Sequence, residues 1–357
     1  MRSNDDLASW IDLSLVPGLG AQTYRALLSA FGLPRNIRSA SRTQLARVVS
    51  DVIAERILED GRAPLVAAAR DWAEQPGRSV VTLADPDYPP QLLQIPDPPM
   101  LLYVAGDMRL LGAPSLAIVG SRNATQQGVT NAERFARALS DAGLTIVSGL
   151  ALGIDAAAHR GGLAGRGATI AVLGCGPDVV YPLGNEPLFA QITENGAIVS
   201  EFPLGTPPAR ENFPRRNRLI SGLSRGCLVI EAALASGSLI TARLATEQGR
   251  EVFAIPGSIH SPLSKGCHAL IKQGAKLVES AQDVLEELGL NTESANDHKS
   301  SWVSGGLLQH IGYDPCTIDA LIQRTGLTAE TISAMLLTLE LEGKVGSLPG
   351  GIYQRIS

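Results

Sequence analysis

Between residues 79 and 290 the chain alternates short β-branched, apolar runs with longer stretches whose apolar residues recur at helical spacing. The runs are SLAIVG, LTIVSG, ATIAVLG, GAIVSE, CLVIEA, EVFAIPG and KLVES. Strands that are apolar on both sides must be covered on both faces, and helices between successive strands supply that cover. The pattern predicts an α/β core with a Rossmann-like, doubly wound and mostly parallel sheet.

The segment before this core has a different pattern. Residues 1–78 contain no strand-like run, and their helical spacing of apolar residues predicts a small helical domain. Within it, LVPGLG at 15–20 is typical of the turn of a SAM-like helix-hairpin-helix. Glycines at such a turn either hold a phosphate or simply reverse the chain, and a single Gly-x-Gly favours the second interpretation.

The segments after the core predict a linker over residues 291–306, which are polar and small, and a winged-helix domain over residues 307–357. The helix in the recognition position, 328–342, contains no arginine or lysine. It carries three acidic residues, Glu330, Glu340 and Glu342. Because acidic side chains oppose insertion beside phosphates, a protein-contact module or structural cap fits better than a DNA reader.

Composition excludes some classes of protein. The 357 residues are 45% hydrophobic, which is enough for two or three domains with buried cores. No apolar run reaches the roughly eighteen residues of a membrane span, and the first residues lack the order of a signal peptide, so we expect a cytoplasmic protein that does not contact a membrane. The four cysteines lie far apart without metal-ligand spacing, and we predict no metal and no cofactor.

Ligands of doubly wound sheets gather at the carboxyl ends of the strands. Gly120, Ser121 and Arg122 follow the SLAIVG run and precede a helix. Backbone amides, the Ser121 hydroxyl and the Arg122 guanidinium together predict a phosphate site; the alternative is a glycine turn whose arginine pairs with a surface carboxylate. Ser148 and Gly149 begin a second glycine loop, after the LTIVSG run.

In the second loop, Asp155 and His159 lie four residues apart on one helix face. Such a pair could serve acid–base chemistry or form half of a metal site. No third ligand stands nearby in the motif, and an Asp at a helix start beside glycines commonly caps amides. We therefore interpret both residues as structural and predict no catalytic residue.

The segment from Gly205 to Gly226 carries five arginines and one glutamate in a chain whose formal net charge is -5. Arg210, Arg215, Arg216 and Arg218 surround Phe213, which could otherwise be an ordinary core aromatic. Guanidiniums beside an aromatic ring suit a phosphate backbone with an unstacked base. Next to them, Asn217 is expected to hold the loop through hydrogen bonds to backbone.

The N-termini of two further predicted helices carry groups that favour anion binding. Ser238 and Thr241 open the helix after the CLVIEA run, and Lys265 precedes another helix. The hydroxyl groups could equally be helix caps. Several such sites on one rim suit a polyanion threaded across the sheet better than a single nucleotide.

Four blocks of sequence resemble the DNA-processing protein A (DprA/Smf) family. They are VGSRNAT at 119–125, SGLALGIDAAAHRGGL at 148–163, GCGPDVVYPLGNEPL at 174–188 and FPRRNRLISGLS with VIEAALASGSLITARLATEQGREVFAIPG at 213–257. The resemblance is dense from about Pro89 to Val278. The chain departs from it at Leu152, where relatives often carry arginine, and at His268, where they usually carry asparagine.

The resemblance implies a protein that binds single-stranded DNA and helps the RecA recombinase to load during natural transformation. It also implies a homodimer formed through the Rossmann-like domain, and DNA contacts from Arg122 and from a basic residue at the position of Arg210. The whole set of candidate DNA-binding residues is Gly120, Ser121, Arg122, Ser148, Gly149, Arg210, Phe213, Arg215, Arg216, Asn217, Arg218, Ser238, Thr241 and Lys265.

Two other classes of function stay open. The first is an enzyme acting on a nucleotide, related to the Rossmann-like phosphoribohydrolases, but their Pro-Gly-Gly-x-Gly-Thr loop is replaced here by ALASGSLITARLATEQG. The second is a scaffold that binds only proteins, which fits the acidic winged helix and leaves the arginine-rich segment unexplained. A composite, with a core for DNA and flanks for partners, accounts for both features.

Overall fold

The seven apolar runs of the core all form parallel strands, and two further strands extend the sheet. The structure is a computed structural model that describes residues 4–290, 307–309, 311–325, 329–348 and 351–356, and the predicted linker at 291–306 lies outside these residues. The chain divides into two compact units, one of residues 1–124 and 131–290, the other of residues 125–130 and 291–357.

The helices of the described residues are numbered in chain order. They are α1 Asn4–Ser14, α2 Ala21–Phe31, α3 Pro34–Ser39, α4 Arg42–Leu45, α5 Asp51–Leu58, α6 Ala63–Ala73, α7 Pro90–Leu93, α8 Gln126–Asp141, α9 Ile154–Leu163, α10 Glu186–Asn195, α11 Asn212–Leu223, α12 Gly237–Glu247, α13 Lys265–Lys272, α14 Ala281–Glu287, α15 Ile318–Thr325 and α16 Ala329–Leu341. None of them is long and apolar enough to cross a membrane.

The strands of the main sheet are β1 Arg78–Thr82, β2 Leu101–Gly106, β3 Ser115–Gly120, β4 Thr145–Ser148, β5 Thr169–Val172, β6 Ala197–Ser200, β7 Gly226–Ile230, β8 Glu251–Ala254 and β9 Lys276–Leu277. Their order is β1-β2-β6-β5-β4-β3-β7-β8-β9. From β6 to β9 all neighbours are parallel, whereas β2 is antiparallel to both β1 and β6. This confirms the predicted doubly wound, mostly parallel sheet.

The sequence analysis missed β1 and β2. Both runs, RSVVT and LLYVAG, are apolar, but the residues between them are rich in proline and contain only the one-turn helix α7. The segment therefore lacks the strand–helix alternation on which the prediction rested. An antiparallel pair needs no crossover helix, so these strands extend the sheet without that pattern.

The two faces of the sheet bury two separate hydrophobic clusters, because successive side chains of a strand point to opposite faces. Val172 of β5 packs on the side of α11 and α12, with Leu219 and Ala242. Its neighbour Ala171 packs on the other side, with helices that include α1 and α6 through Ile11 and Trp72. The N-terminal helices thus complete the cover of one sheet face.

The predicted helix-hairpin-helix and winged-helix segments are also confirmed. In the first, α1–α5 surround their own core, which includes Trp10, Tyr24 and Leu45. In the second unit, α15 and α16 pack with a three-stranded sheet around Leu321 and Leu336. The strands of that sheet are β10 Cys316–Thr317, β11 Val345–Leu348 and β12 Ile352–Arg355.

Candidate functional site

A cleft of about 860 Å³ lies at the carboxyl ends of β3 and β7. These neighbouring strands are the point where the chain order of the sheet reverses, since β4–β6 lie on one side and β8–β9 on the other. Such a switch point is where doubly wound sheets bind ligands, because the loops leaving the two strands diverge. Nine of the predicted site residues line this cleft: Gly120, Ser121, Arg122, Arg210, Phe213, Arg216, Asn217, Ser238 and Thr241.

The loop after β3 supplies fewer anion donors than predicted. The Ser121 amide donates to the carbonyl oxygen of Glu231 at 2.7 Å, and the Asn123 amide donates to Ser121 Oγ at 3.2 Å. The Ser121 amide is therefore already used in joining this loop to the end of β7. The hydroxyl proton of Ser121 and the Arg122 guanidinium are donors of this loop that line the cleft without a hydrogen-bond acceptor among the described residues.

Arg122 and Arg210 are the exposed arginines of the cleft wall. Among the residues that the structure describes, neither guanidinium forms an ion pair with a carboxylate. The Arg122 Cζ atom lies 5.8 Å from the centroid of the Phe213 ring. A cation held beside a ring without a counter-charge is suited to bind a ligand that is both anionic and aromatic.

Helix α11 presents two faces that the sequence alone did not separate. Residues Phe213, Arg216, Asn217 and Ile220 follow the spacing of one helical face, and all four line the cleft. Arg215 and Arg218 lie three residues apart on another face and line a different cavity, of about 350 Å³, together with Tyr24 and Glu201. The structure therefore does not bring Arg215 and Arg218 into the cleft.

Glu201 engages both of these arginines. Its Oε2 atom lies 2.5 Å from Arg218 Nη2 and 3.4 Å from Arg215 Nη2, and Arg218 Nε lies 3.3 Å from a carboxylate oxygen of Asp97. Arg218 is 9% exposed, whereas the side chain of Arg215 is 60% exposed. The predicted phosphate contact of Arg218 thus conflicts with its burial between two carboxylates, while Arg215 has an accessible guanidinium outside the cleft.

Arg216 lines the floor of the cleft and is only 4% exposed. Its Nη1 donates to the carbonyl oxygen of Gly149 at 2.8 Å and also to that of Val172, which ties α11 to the ends of β4 and β5. Burial lowers its pKa to about 10, so the group is still a cation at neutral pH. Its Nε donates to Asn217 Oδ1 at 3.1 Å. Asn217 therefore holds the Arg216 side chain, whereas the sequence analysis expected it to bond to backbone.

The loop from Gly149 to Gly153 is supported from below by buried polar groups. Asp155 Oδ2 accepts from the amides of Gly149 and Ala151 at 3.1 and 3.4 Å, and burial raises the pKa of this carboxyl. Asn185, which the sequence analysis did not single out, donates to the carbonyl oxygens of Leu150 and Ala151. These contacts hold Leu150 at a φ of +57°, a conformation that costs energy without glycine.

His159 is fully buried and has a partner at each ring nitrogen. Nε2 accepts from the Leu150 amide at 3.2 Å. Nδ1 lies 2.7 Å from Thr169 Oγ1, whose own proton goes to the carbonyl oxygen of Ile146, so Nδ1 carries the hydrogen. Burial lowers the pKa of His159 to about 3, which keeps the ring neutral. This arrangement agrees with the structural interpretation of His159.

Ser148 and Lys265 do not line the cleft, and the hydroxyl of Ser238, which does line it, already has a partner. Ser148 is fully buried and its hydroxyl donates to the carbonyl oxygen of Ile118 at 2.6 Å. Ser238 Oγ lies 2.7 Å from Ser236 Oγ, and Ser236 caps α12. Lys265 is exposed at the first residue of α13 and does not line the cleft.

The sequence analysis also missed Tyr181, which lines the cleft and is 42% exposed. Its ring centroid lies 5.5 Å from that of Phe213, at an interplanar angle of 35°. The available signal was an aromatic residue in the loop after β5, at the same sheet edge as the other candidates. With it, the cleft combines two rings with two accessible guanidiniums.

The sheet and its cleft define a Rossmann-like protein whose switch point carries a cleft lined by exposed guanidiniums and aromatic rings. The chain matches the family model of DNA recombination-mediator protein A over residues 79–289, and the chain belongs to that family. Further matches are the DprA winged helix domain over residues 293–351 and a SAM-like helix-hairpin-helix tandem over residues 11–62.

Relatives and solved structures agree with this assignment. Protein Smf of Escherichia coli (strain K12) is 44% identical over 297 residues, which cover 80% of this chain and 79% of that protein. The X-ray structure of DNA processing protein A from Streptococcus pneumoniae is 39% identical with a TM-score of 0.69, covering 80% of this chain and 99% of that one. A structure of DNA processing protein A from Helicobacter pylori, reported for its single-stranded DNA binding mode, is 34% identical with a TM-score of 0.54 and covers 58% of this chain and 95% of that one.

Proposed function

We propose that the protein binds single-stranded DNA in the cleft at the ends of β3 and β7. The observation that carries the proposal is the meeting of Arg122 and Arg210, both exposed and free of carboxylate partners among the described residues, with the rings of Phe213 and Tyr181 in one cleft. The single-stranded DNA binding mode reported for the Helicobacter pylori relative supports the choice of ligand.

In this proposal the two guanidiniums pair with backbone phosphates, and the hydroxyl of Ser121 donates to a phosphate oxygen beside Arg122. The aromatic rings stack on bases, which are accessible only when the strand is unpaired. Stacking accepts every base, so the protein has little sequence preference. Ser238 and Thr241, at the start of α12, continue the polar wall of the cleft.

The other predicted contacts take different roles in the proposal. Arg216, Ser148 and Gly149 shape the floor of the cleft, because the Ser148 hydroxyl, the backbone groups of Gly149, and Nε and Nη1 of Arg216 already have protein partners. Arg218 joins α11 to Glu201. Arg215 and Lys265 are exposed cations outside the cleft that extend the phosphate path along the sheet rim.

The wider role is that of a recombination mediator without chemistry of its own. We propose that the bound strand is protected and passed to the RecA recombinase in natural transformation, and that the protein acts in the cytoplasm as a homodimer formed through the core. Membership in the DNA recombination-mediator protein A family supports this role. We propose a core of residues 79–290 for DNA, with the helical domain 1–78 and the winged-helix domain 307–357, after a linker at 291–306, for partners.

Fluorescence anisotropy tests the DNA-binding proposal. Labelled single-stranded and duplex oligonucleotides of one sequence are titrated with the protein at several salt concentrations, with AMP as competitor. Tight, salt-sensitive binding of the single strand, unaffected by AMP, is the expected result. No binding at low salt, or displacement by micromolar AMP, would instead favour a nucleotide-metabolising enzyme.

Two measurements test the wider role. RecA filament growth on single-stranded DNA coated with single-stranded-DNA-binding protein should start sooner when this protein is present, and an unchanged lag would contradict the mediator role. Light scattering of the purified protein should give twice the mass of the 37.5 kDa chain. A mass that stays at one chain over a wide concentration range would contradict the dimer.

A further inference from the structure

We infer that Tyr181 presents the base-stacking surface of the cleft and that Phe213 is the layer that positions it. The inference rests on the proposed function, because it names the residue that meets the bases of a bound strand. The sequence analysis assigned stacking to Phe213 and did not single out Tyr181. The structure shows which of the two rings is open to a ligand.

Phe213 is enclosed on several sides. Its ring lies so close to Gly174 that a Cβ atom built on that glycine would be 2.7 Å from the Phe213 Cδ1 atom. The Arg122 and Arg216 guanidinium carbons lie 5.8 and 6.0 Å from the ring centroid, and the Tyr181 ring lies 5.5 Å away. Phe213 is accordingly half-buried, with a glycine, two cations and a second ring around it.

Tyr181 has the complementary environment. It lines the same cleft and keeps 42% of its surface exposed, while the Phe213 ring supports it at a tilt of 35°. Tyr181 therefore offers a more exposed ring to a base in the cleft than Phe213 does, since Phe213 is only partly exposed and has two guanidiniums and the Tyr181 ring beside it. A supported ring loses little conformational freedom on binding, which favours a stack on Tyr181.

The placement of Arg122 adds a second reason. Its guanidinium carbon lies 5.8 Å from the centroid of the Phe213 ring, and the Tyr181 centroid lies 5.5 Å from the same point, so the cation and the outer ring are no more than about 11 Å apart. Both line one cleft, so a strand bound there can place a base on Tyr181 and a phosphate beside Arg122.

The test compares four variants on two ligands by anisotropy. Tyr181→Leu removes the outer ring, Tyr181→Phe keeps it, and Phe213→Leu removes the supporting ring. Leu183→Ala is the matched control, since Leu183 is 75% exposed on the same loop but does not line the cleft. The ligands are an oligothymidine and an oligonucleotide of equal length whose central sugars carry no base.

On oligothymidine, Tyr181→Leu should raise the Kd by about 5- to 150-fold, the range of one base–aromatic stack. Tyr181→Phe and Leu183→Ala should bind as the wild type does. On the abasic ligand all four variants and the wild type should bind alike. A 2-aminopurine placed centrally in the oligothymidine should be quenched by the wild type and by Tyr181→Phe, and much less by Tyr181→Leu.

The outcomes separate this inference from the proposed function. If the wild type binds neither ligand, both fall together. If the wild type binds oligothymidine and Tyr181→Leu binds it equally well, only the inference fails. If Phe213→Leu binds oligothymidine more weakly while Tyr181→Leu still quenches 2-aminopurine fully, then Phe213 is the residue that stacks on the base. Near-ultraviolet circular dichroism of each variant reports whether its fold is kept.

Discussion

The guanidinium of Arg216 donates to the carbonyl oxygen of Gly149 at 2.8 Å, at the floor of the cleft. This contact joins α11, which carries Phe213, to the glycine loop after β4. An arginine from the most cationic segment of the chain therefore acts as an internal brace. The accessible charge of the cleft comes from Arg122 and Arg210 instead.

Replacing Arg216 with alanine should mainly destabilise the fold. The change leaves the carbonyl oxygens of Gly149 and Val172 without their donor, and it removes the cation that compensates the buried Asp155 carboxyl. We expect the free energy of unfolding in urea to fall by about 3 kcal/mol or more. The free energy of unfolding of Arg216→Lys should lie between those of the wild type and Arg216→Ala. An ammonium keeps the charge but lacks the planar fork of donors that a guanidinium has.

Arg122→Ala serves as the comparison for stability, since it removes an exposed arginine at the same cleft and should change the free energy of unfolding by less than about 0.5 kcal/mol. Folded Arg216→Ala protein should keep the salt dependence of DNA binding of the wild type. An unchanged midpoint in urea together with a flatter salt dependence would show that Arg216 binds phosphate after all.

The two exposed arginines should account for the salt dependence. Each phosphate that a protein neutralises on a single strand contributes about -0.7 to the slope of log affinity against log salt. Arg122→Ala and Arg210→Ala should each flatten the measured slope by about that amount, for any oligonucleotide sequence. Arg109→Ala is the matched control, because its side chain is 90% exposed and lies outside the cleft lining. An equal effect of all three substitutions would mean that only overall charge matters.

The sequence predicted the core of the sheet because each parallel strand came with its crossover helix, so every run had two independent signals. β1 and β2 lack that second signal. The helical N-terminal segment was predicted from the spacing of its apolar residues and its LVPGLG turn, and the winged helix from two helical stretches followed by a hairpin. What spacing does not show is that α1 and α6 cover a face of the sheet through Ile11 and Trp72, since this depends on contacts between distant segments.

The sequence predicted the location of the candidate site better than the contacts that its individual residues make. Strand ends placed Gly120 and Ser238 at one rim, as observed. Among the arginines of α11, however, the sequence shows equal charge at 215, 216 and 218, whereas the fold places a buried carboxylate, Glu201, against one helix face and two carbonyl oxygens against another. Tyr181 lacked a neighbouring charge in sequence and acquires its importance only through the Phe213 ring.

His159 should make the protein sensitive to mild acid. Its pKa is about 3 in the folded protein and near the ordinary 6.5 in the unfolded chain. Below 6.5 the unfolded chain therefore binds a proton that the folded protein excludes, so stability falls as the pH drops from 6.5 towards 3, by about 1.4 kcal/mol per pH unit. His159→Gln should be less stable at pH 8 but lose this slope. The difference between the two free energies of unfolding should shrink on acidification, and a constant difference would contradict a neutral buried His159.

Gly149→Ala tests the contact between Arg216 and Gly149 from the glycine side. A Cβ atom at Gly149 would lie 2.3 Å from Arg216 Nη2, and the guanidinium cannot move away freely because it is buried and bonded to two carbonyl oxygens. We expect the substitution to lower the free energy of unfolding by about 1–3 kcal/mol in the wild type. In the Arg216→Ala background the added methyl group has room. The loss of unfolding free energy caused by Gly149→Ala should therefore be smaller there by about 0.5–3 kcal/mol, the coupling energy typical of two residues in contact. Urea unfolding of the two single variants and the double variant measures this coupling. Equal costs in both backgrounds would mean that Gly149 is required for a reason other than its contact with Arg216.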